Sequence, residues 1–433
     1  MIAEDQRVLS RNPLNAEPAP ATLVSSFLTK NSDVYHRNHG EFVPLDAATY
    51  SLLLRSEVDA IKLNKSDFSL DDVKEFPKRD LVTVLSCAGN RRTEMDHEKE
   101  VEGLKWGMSA IANCHFAGTL LSDLLAAAGV TKASTPNARD LHIHFESTQD
   151  CEDDTYYAAS LPLEMALDQA RPTLLAYEMN HAALEPAHGF PLRVVVPGVI
   201  GARSVKWLER IIIRDHESDN FYQARDYKVL PPEATPETKA DYLQKTPALH
   251  EFSLNSVICS PSDGETVEAE SGNSAAIAVK GYAVGSNGTR IKSIEIAVVS
   301  LPVPVSSAPP PHPDLLPEIQ SNEAYKIRVH ATTLPAEAWT SARLNEGIHT
   351  SGAITAQDKH WGWTLFSAEV PLPETVRHLV ELGVDGGVDV ALVAYATDAC
   401  GQRQELQTQW NLRGVAEASW SVVKCRLKHR SSS

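Results

Sequence analysis

Residues 81–95 read Leu81-Val-Thr-Val-Leu-Ser-Cys-Ala-Gly-Asn-Arg-Arg-Thr-Glu-Met95, a short apolar run that passes into a Gly/Asn turn. The run predicts a strand, and the turn presents Cys87 beside Arg91 and Arg92. Positive neighbours favour the thiolate, which is the form of cysteine that binds metals, and guanidinium groups suit small oxyanions. The segment therefore indicates metal-centred oxyanion chemistry.

The composition is that of an ordinary globular protein. The 433 residues are 42% hydrophobic and 22% charged, which is too long a chain for one core and predicts two or three domains. A formal charge of -17 argues against nucleic acid or an anionic membrane as a partner, because the mean field repels both. A site for anions must therefore be built locally.

Targeting signals are not evident. The chain has no run of 18 apolar residues, and residues 1–20 lack the basic start and apolar middle of a signal peptide. Six cysteines without a pairing pattern favour a reducing compartment and free thiols. The final Ser-Ser-Ser is not a peroxisomal address. We expect a cytoplasmic location, with peroxisome and mitochondrion left open.

The first part of the chain predicts an arm followed by a mixed domain. Residues 1–24 are polar and contain prolines, which predicts a flexible arm, and residues 25–245 alternate strands with short helices. The leucines of residues 119–129 share one helical face, and Gly129 ends the pattern. Residues 192–196 and 207–214 are apolar enough to predict buried strands.

The second part predicts an all-β domain over residues 250–427. The spacing of its apolar segments is typical of a β-sandwich. The proline-rich residues 301–317 exclude a helix and predict a surface loop, with a ligand for a proline-binding partner as the alternative. The predicted strands are residues 276–284, 290–300, 324–330, 363–370 and 388–396.

Seven segments, taken together and in this order, resemble the sulfite oxidase family of molybdenum enzymes, which includes the molybdenum module of nitrate reductase. The resemblance covers residues 25 to 425 and implies an α+β chain: a mixed α/β molybdopterin-binding domain followed by an immunoglobulin-like β-sandwich that dimerises. The segments are Tyr35-His-Arg-Asn-His-Gly40, Ser86-Cys-Ala-Gly-Asn-Arg-Arg92, Leu175-Ala-Tyr-Glu-Met-Asn180, His188-Gly-Phe-Pro-Leu-Arg-Val-Val-Val-Pro-Gly198, Gly201-Ala-Arg-Ser-Val-Lys-Trp-Leu208, Arg225-Asp-Tyr-Lys228 and Trp410-Asn-Leu-Arg-Gly-Val415.

The resemblance assigns Cys87 as the only protein ligand of molybdenum, a metal that a soft thiolate suits. The alternative is a buried structural cysteine, although two adjacent arginines are a poor lining for an inert apolar pocket. For the phosphorylated pterin, arginine and lysine suit the phosphate and backbone groups suit the ring edge. The residues implied for cofactor binding are Tyr35, His36, Arg37, Asn38, His39, Cys87, Asp150, His188, Arg193, Ser204, Val205 and Lys206.

Two of these assignments have open alternatives. His36 and His39 have a spacing that zinc ligands also use, but no further pair completes a tetrahedral site at a recognisable spacing. The family's acidic contact falls in residues 145–151, where gapless comparison aligns Gln149 and leaves Asp150 beside it.

The substrate pocket implied by the resemblance contains three guanidinium groups. Such a cluster is costly unless an anion fills it, because like charges repel and desolvation is unfavourable. The alternative is that each arginine pairs with one of the 57 carboxylates of the chain. The implied pocket residues are Arg37, Arg92, Trp106, Tyr227 and Arg413.

The function implied is the molybdenum-dependent oxidation of sulfite to sulfate by a homodimer. Nitrate reductases carry Met where this chain has Arg413, so the chain resembles the sulfite-oxidising branch. It is similar in layout to the plant type, which has no haem domain, so we expect oxygen or a separate protein to accept the electrons. The rivals are a reductase of nitrate or a related oxyanion, and a cofactor-free interaction protein on the same scaffold.

Overall fold

The computed structural model describes most of the chain. Strands and helices are numbered here in chain order. No helix within this part is both long and apolar enough to cross a membrane. The residues described are 5–270, 272, 274–303, 314–347, 359–384 and 386–430.

The N-terminal residues form a hairpin and one helical turn. Here the structure differs from the predicted flexible arm, because Ala16 and Leu23 are buried against residues that come later in the chain. Local composition does not reveal such long-range contacts. The elements are β1 (Arg7–Arg11), β2 (Leu14–Glu17) and α1 (Pro20–Leu23).

The next part of the chain mixes strands with short helices, as the sequence predicts. Its elements are β3 (Ser51–Ser56), β4 (Asp67–Ser69), α2 (Leu70–Glu75), β5 (Lys78–Ser86), α3 (Arg92–Glu98), β6 (Ile111–Leu120), α4 (Leu121–Ala127), β7 (His142–Ser147), β8 (Ala158–Pro162), α5 (Leu163–Ala166), β9 (Leu174–Met179), β10 (Ala182–Ala183), β11 (Arg193–Val195), β12 (Leu208–Arg214), α6 (Phe221–Ala224) and α7 (Lys239–Leu243).

Two sheets organise this part. The first has the antiparallel order β10-β9-β6-β5, with β11 also paired to β9, and the second has the order β4-β3-β12-β7-β8. In the second sheet β12 pairs parallel to β3 and antiparallel to β7. Side chains from both sheets and from α4 share one apolar core. Because β5 lies at an edge of its sheet, the turn that follows it is free to face other segments.

The predicted helix at residues 119–129 is confirmed as α4, which begins two residues later. Residues 119 and 120 still belong to β6. Gly129 follows the helix with a φ of 89°, a left-handed conformation that glycine adopts without strain. Leu121, Leu124 and Leu125 are fully buried on the predicted face.

In its described residues, the second part is a β-sandwich with three α-helices. Its sheets have the orders β13-β15-β19-β18 and β14-β21-β20-β16-β17, and an apolar core lies between them. The domain limits of residues 25–245 and 250–427 stay predictions. The elements are β13 (Asn255–Ser260), β14 (Thr266–Ala269), β15 (Ala276–Val284), β16 (Ile291–Ser300), α8 (Pro317–Ser321), α9 (Glu323–Ala331), β17 (Trp339–Ser341), β18 (Arg343–Asn345), β19 (Thr364–Pro371), α10 (Glu374–Glu381), β20 (Val388–Asp398) and β21 (Ser421–His429).

One strand prediction in the second part is wrong. Residues 324–330 lie in α9, and the Asn322 side chain caps this helix by accepting the N–H of Ala324 at 2.8 Å. A seven-residue apolar pattern does not separate strand from helix, and the cap decides here. Within the predicted loop at 301–317, residues 304–313 lie outside the described residues.

The second part holds the segment around Cys87 from two directions. The Val84 N–H donates to the Trp361 carbonyl at 3.0 Å, and the Ala416 N–H donates to the Ala88 carbonyl at 2.9 Å. All six cysteines of the chain are free, and Cys87 is buried. The strand β5 and its turn are therefore fixed at the junction of the two parts.

Candidate active site

A cavity opens next to the turn that carries Cys87. It lies between this turn, residues 34–39 and the loop that precedes β12. Eleven of the predicted site residues line it, which means that segments far apart in the sequence meet here. They are Tyr35, Arg37, Asn38, His39, Cys87, His188, Arg193, Ser204, Val205, Lys206 and Tyr227.

Cys87 follows the last residue of β5 and lies at the inner wall of the cavity. Its N–H donates to the Ala110 carbonyl at 2.9 Å, and its own carbonyl accepts the N–H of Asn90 at 3.0 Å. Trp106 and Ala110 pack against it. The main chain is thus fixed on both sides of the sulfur, as a metal ligand requires.

The N-terminal hairpin holds residues 35–39 in place. The His36 N–H donates to the Ala16 carbonyl at 2.8 Å, and the Ala16 N–H returns a bond of 3.0 Å. The Asn15 side-chain oxygen accepts the N–H of Asn38 at 3.0 Å. The sequence prediction missed this role, since only pairing partners in the fold reveal it.

Three cationic side chains face the cavity without a carboxylate partner in the described part of the chain: Arg37, Arg193 and Lys206. Arg193 donates to the carbonyls of His188 and Ser204 at 3.1 and 2.9 Å. Lys206 donates to Asn38 Oδ1 at 2.5 Å. Their positive charge is therefore unbalanced locally.

The positive charge of these side chains shifts the pKa values of titratable groups that line the cavity. Burial, together with the charges of Arg193 and Arg37, holds the pKa of Lys206 well below its ordinary value. Burial and the neighbours His36 and Lys206 likewise hold the pKa of His188 well below its usual range. Each shift indicates that the site would be stabilised by an anion.

Buried polar atoms point to the same conclusion. Within the described residues His36 Nδ1, His188 Nε2 and Trp106 Nε1 have no hydrogen-bond partner. The rings of His36 and His188 stack at 5.4 Å between centroids. Because unpaired buried polar groups are costly, they fit an anionic ligand with several polar edges.

Tyr227 and His39 form a hydrogen-bonded pair in the cavity. The Tyr227 hydroxyl lies 2.8 Å from His39 Nε2, and Arg37 Nη2 lies 3.3 Å from His39 Nδ1. Burial raises the pKa of Tyr227 to about 12, so its phenol is protonated at neutral pH. Tyr227 has a φ of 53°, a conformation that is rare for bulky residues and marks a constrained position.

Arg92 begins α3 beside Cys87. Its Nε donates to the Gly414 carbonyl at 3.0 Å and its Nη1 to the Leu104 carbonyl at 2.8 Å. It forms no ion pair with the described carboxylates, and its burial lowers its pKa. Position 414 does not readily accept a side chain, because an added Cβ would lie 2.7 Å from the Arg92 side chain.

Arg413 differs from the other two predicted pocket arginines. It pairs with Asp226, and its Nη1 lies 3.1 Å from Glu102 Oε2. Within the described ranges, the alternative that carboxylates neutralise the arginines therefore applies to Arg413 and not to Arg37 or Arg92. Asp226 precedes Tyr227, so the ion pair remains next to the cavity.

Asp150, which is predicted to bind the cofactor, does not line the cavity, and its predicted contact stays a prediction. The Asp150 side chain is exposed, whereas Gln149 lines the cavity and donates to the carbonyls of Gly40 and Glu41, each at 2.9 Å. Of these two adjacent residues, Gln149 is therefore the one whose side chain faces the cavity.

Five charged side chains join α3 to the second part of the chain. Arg91 Nη2 lies 2.7 Å from Glu94 and 4.0 Å from Glu417, and Arg328 Nη1 lies 3.4 Å from Glu98. Three carboxylates thus face two guanidinium groups. Burial, followed by the charge of Glu417, raises the pKa of Glu98 to about 7.

This shift predicts a pH dependence of stability that Glu98→Gln should remove. Because the pKa is higher in the folded state, folding favours the protonated form; this stabilisation is complete below pH 4.5 and is lost as the pH rises through about 7. Urea unfolding across that interval should show wild-type stability falling relative to the variant. Parallel curves for the two proteins would contradict the assignment, and the exposed Glu100→Gln serves as control.

Two domain families match the chain. An oxidoreductase molybdopterin binding domain matches residues 39–222, and a Mo-co oxidoreductase dimerisation domain matches residues 246–300. The sulfite oxidase of Arabidopsis thaliana is 33% identical over 427 residues, which is 98% of this chain and 94% of that protein.

The chain belongs to the sulfite oxidase family.

Another relative in the sulfite oxidase family is the mitochondrial sulfite oxidase of Homo sapiens, which is 35% identical over 419 residues. The match covers 96% of this chain and 65% of the human protein. The solved structure of the sulfane dehydrogenase SoxCD from Paracoccus pantotrophus has a TM-score of 0.66 at 20% identity and covers 98% of this chain and 87% of its own. At that identity the likeness shows the fold alone.

The expected fold class and cofactor of the sulfite oxidase family are confirmed. The chain is α+β, with a molybdopterin-binding part followed by a β-sandwich dimerisation domain, and its cofactor is molybdenum bound to molybdopterin. The cavity fits this group. It combines a fixed cysteine with unbalanced positive charge and with buried donors that lack partners.

Proposed function

We propose that the protein oxidises sulfite to sulfate with its molybdenum cofactor. The observation that carries the proposal is that the half-buried Arg37 and the buried Arg92 lie near Cys87 without a carboxylate partner among the described residues. Two such guanidiniums in a low-dielectric site require an anion to balance them. Arg413 provides a third guanidinium group at the edge of the pocket.

Cys87 is proposed as the protein ligand of molybdenum, because its sulfur faces a cationic cavity and its main chain is held on both sides. The bound metal supplies a two-electron redox centre. The residues proposed to hold the pterin and its phosphate are Tyr35, His36, Arg37, Asn38, His39, His188, Arg193, Ser204, Val205 and Lys206.

Tyr227 is proposed to donate a hydrogen bond to the substrate. A guanidinium can only donate, so the contact from Arg37 makes His39 Nδ1 an acceptor. Burial, then Arg37, holds the pKa of His39 well below its ordinary value, so the ring is neutral and its proton is on Nε2. His39 then donates to the Tyr227 oxygen. The phenolic proton remains available to an oxyanion.

Trp106 shapes the pocket on the side of Cys87. It is fully buried and meets the ring of Tyr35 edge to face at 6.4 Å between centroids. An apolar wall of this kind excludes water and strengthens the interaction of the arginines with a bound anion.

The assembly, the electron acceptor and the location are part of the proposal. A homodimer through the second domain follows from the matched dimerisation domain. Oxygen or a separate protein accepts the electrons. The cytoplasmic location stays a prediction.

The decisive experiment is metal analysis of the purified protein followed by turnover assays. We expect about one molybdenum per chain and turnover of sulfite with oxygen or ferricyanide. Turnover of nitrate with a reduced dye, in the absence of sulfite oxidation, would favour the reductase instead. A protein that contains no metal would favour the interaction protein.

Arg413→Met should raise the KM for sulfite. The change removes a cation that contributes roughly 2 kcal/mol to anion binding, and it leaves the carboxylate of Asp226 unpaired at the edge of the pocket. Steady-state kinetics should show a rise of about 30-fold.

The control is Arg403→Met, an equal change at an exposed arginine that stacks on Tyr395 in the β-sandwich. An unchanged KM in Arg413→Met would remove Arg413 from the substrate pocket.

A further inference from the structure

Four charged side chains form a chain at the edge of the substrate pocket. Lys239 Nζ lies 2.8 Å from both carboxylate oxygens of Glu102. Glu102 Oε2 lies 3.1 Å from Arg413 Nη1, and Arg413 also pairs with Asp226. Two cations and two anions alternate, so the charge of Arg413 is balanced before any substrate arrives.

The main chain fixes this arrangement. The Glu102 N–H donates to the Leu412 carbonyl at 2.8 Å, which places Glu102 beside the residue that precedes Arg413. Burial alone would raise the pKa of Glu102, but Lys239 and Arg413 lower it below its ordinary value. Glu102 is therefore ionised at neutral pH.

The Glu102 side chain is partly exposed and is held by ion pairs with Lys239 and Arg413. It is 26% exposed, and Lys239 is 35% exposed, so water can replace either partner when the pairs rearrange. Ion pairs at such positions are weak enough to exchange. An incoming anion can thus take the place of Glu102 on Arg413.

We propose that Glu102 acts as an internal competitor for Arg413, which lowers the affinity of the pocket for its anionic substrate and product, and that Lys239 weakens this competition by holding Glu102. The proposal rests on the oxyanion pocket proposed above. Glu102 is a positioning residue here, since it acts through Arg413. Its effect is to let a strongly cationic pocket release a dianionic product.

Two single variants should change anion affinity in opposite directions. Glu102→Gln leaves Arg413 less occupied, so sulfate should bind to the oxidised holoenzyme about fivefold more tightly and the KM for sulfite should fall by a similar factor. In Lys239→Met, Glu102 keeps Arg413 as its only partner among these charges. The dissociation constant for sulfate and the KM for sulfite should therefore each rise about threefold. Calorimetry with sulfate and steady-state kinetics with sulfite measure these changes. A purely structural role would shift both variants the same way.

The double variant distinguishes two explanations. In one, Glu102 competes with the substrate for Arg413; in the other, Glu102 and Lys239 each act independently on the pocket through their charge. If Lys239 acts through Glu102, Lys239→Met should have no effect in the Glu102→Gln background, whereas independent charges would add. The matched control is Glu100→Gln, which removes an exposed carboxylate two residues away and should leave both constants unchanged. Additive effects, an equal shift in the control, or unchanged sulfate binding in Glu102→Gln would overturn the proposal. Sulfate binding does not require turnover, so failure of sulfite oxidation remains a separate result.

Discussion

Cys87→Ser is expected to abolish sulfite oxidation while the protein still folds. A serine hydroxyl does not ionise near neutral pH and is a poor ligand for a metal that favours soft donors. No hydrogen bond of the described residues involves the Cys87 sulfur, and the turn is held by main-chain bonds that serine retains. Molybdenum and pterin contents per chain, measured beside turnover, should show most of the pterin kept and the activity lost.

The control is Cys259→Ser, which makes the same change at a buried cysteine in β13. That variant should lose stability but keep its turnover per molybdenum. Full activity of Cys87→Ser would rule out this residue as the metal ligand.

Lys206→Met is expected to reduce the pterin content of the purified protein. Lys206 is a half-buried lysine in a cavity that also holds Arg37 and Arg193, and its desolvation lowers its pKa. Loss of a charge-assisted bond to an anionic cofactor weakens binding by roughly 2–3 kcal/mol, which corresponds to about 30- to 150-fold. Pterin fluorescence per chain measures the effect.

For the cofactor-free protein we expect Lys206→Met to preserve or increase stability, in contrast to its loss of cofactor. Because Lys206 is desolvated beside two like charges without an anion, replacing it by an apolar side chain should leave the Tm unchanged or raise it. The control is Lys228→Met, at a buried lysine that donates to the Leu243 carbonyl at 2.6 Å outside the cavity. A pterin content that falls equally in both variants would argue against a specific role of Lys206.

Most of the site residues predicted from the sequence line one cavity in the fold. Cys87, Arg193 and Lys206 lie more than a hundred residues apart at the extremes and still line one cavity. They were predictable because each belongs to a short segment that resembles a segment of the sulfite oxidase family. Their roles at the cofactor stay proposals until the variants are measured.

Other features were not predictable from local pattern. Residues 324–330 satisfy a strand pattern and form a helix, because a capping side chain and packing against the sheet favour it. Asp150 and Gln149 are adjacent, and the backbone direction after β7 decides which faces the cavity. The position of Glu102 beside the pocket is not evident from the sequence, since its partners Lys239 and Arg413 are far away in the chain.

The sequence by itself determined the chemistry available to this protein: a thiol beside guanidinium groups, a set of cationic segments, and a β-rich second half. Only the tertiary structure decided how these charges are balanced. Among the described residues, it places no carboxylate in an ion pair with Arg37 or Arg92 and gives Arg413 two of them. The physical reason is that an ion pair depends on distance and burial, and both are set by contacts between residues remote in the chain.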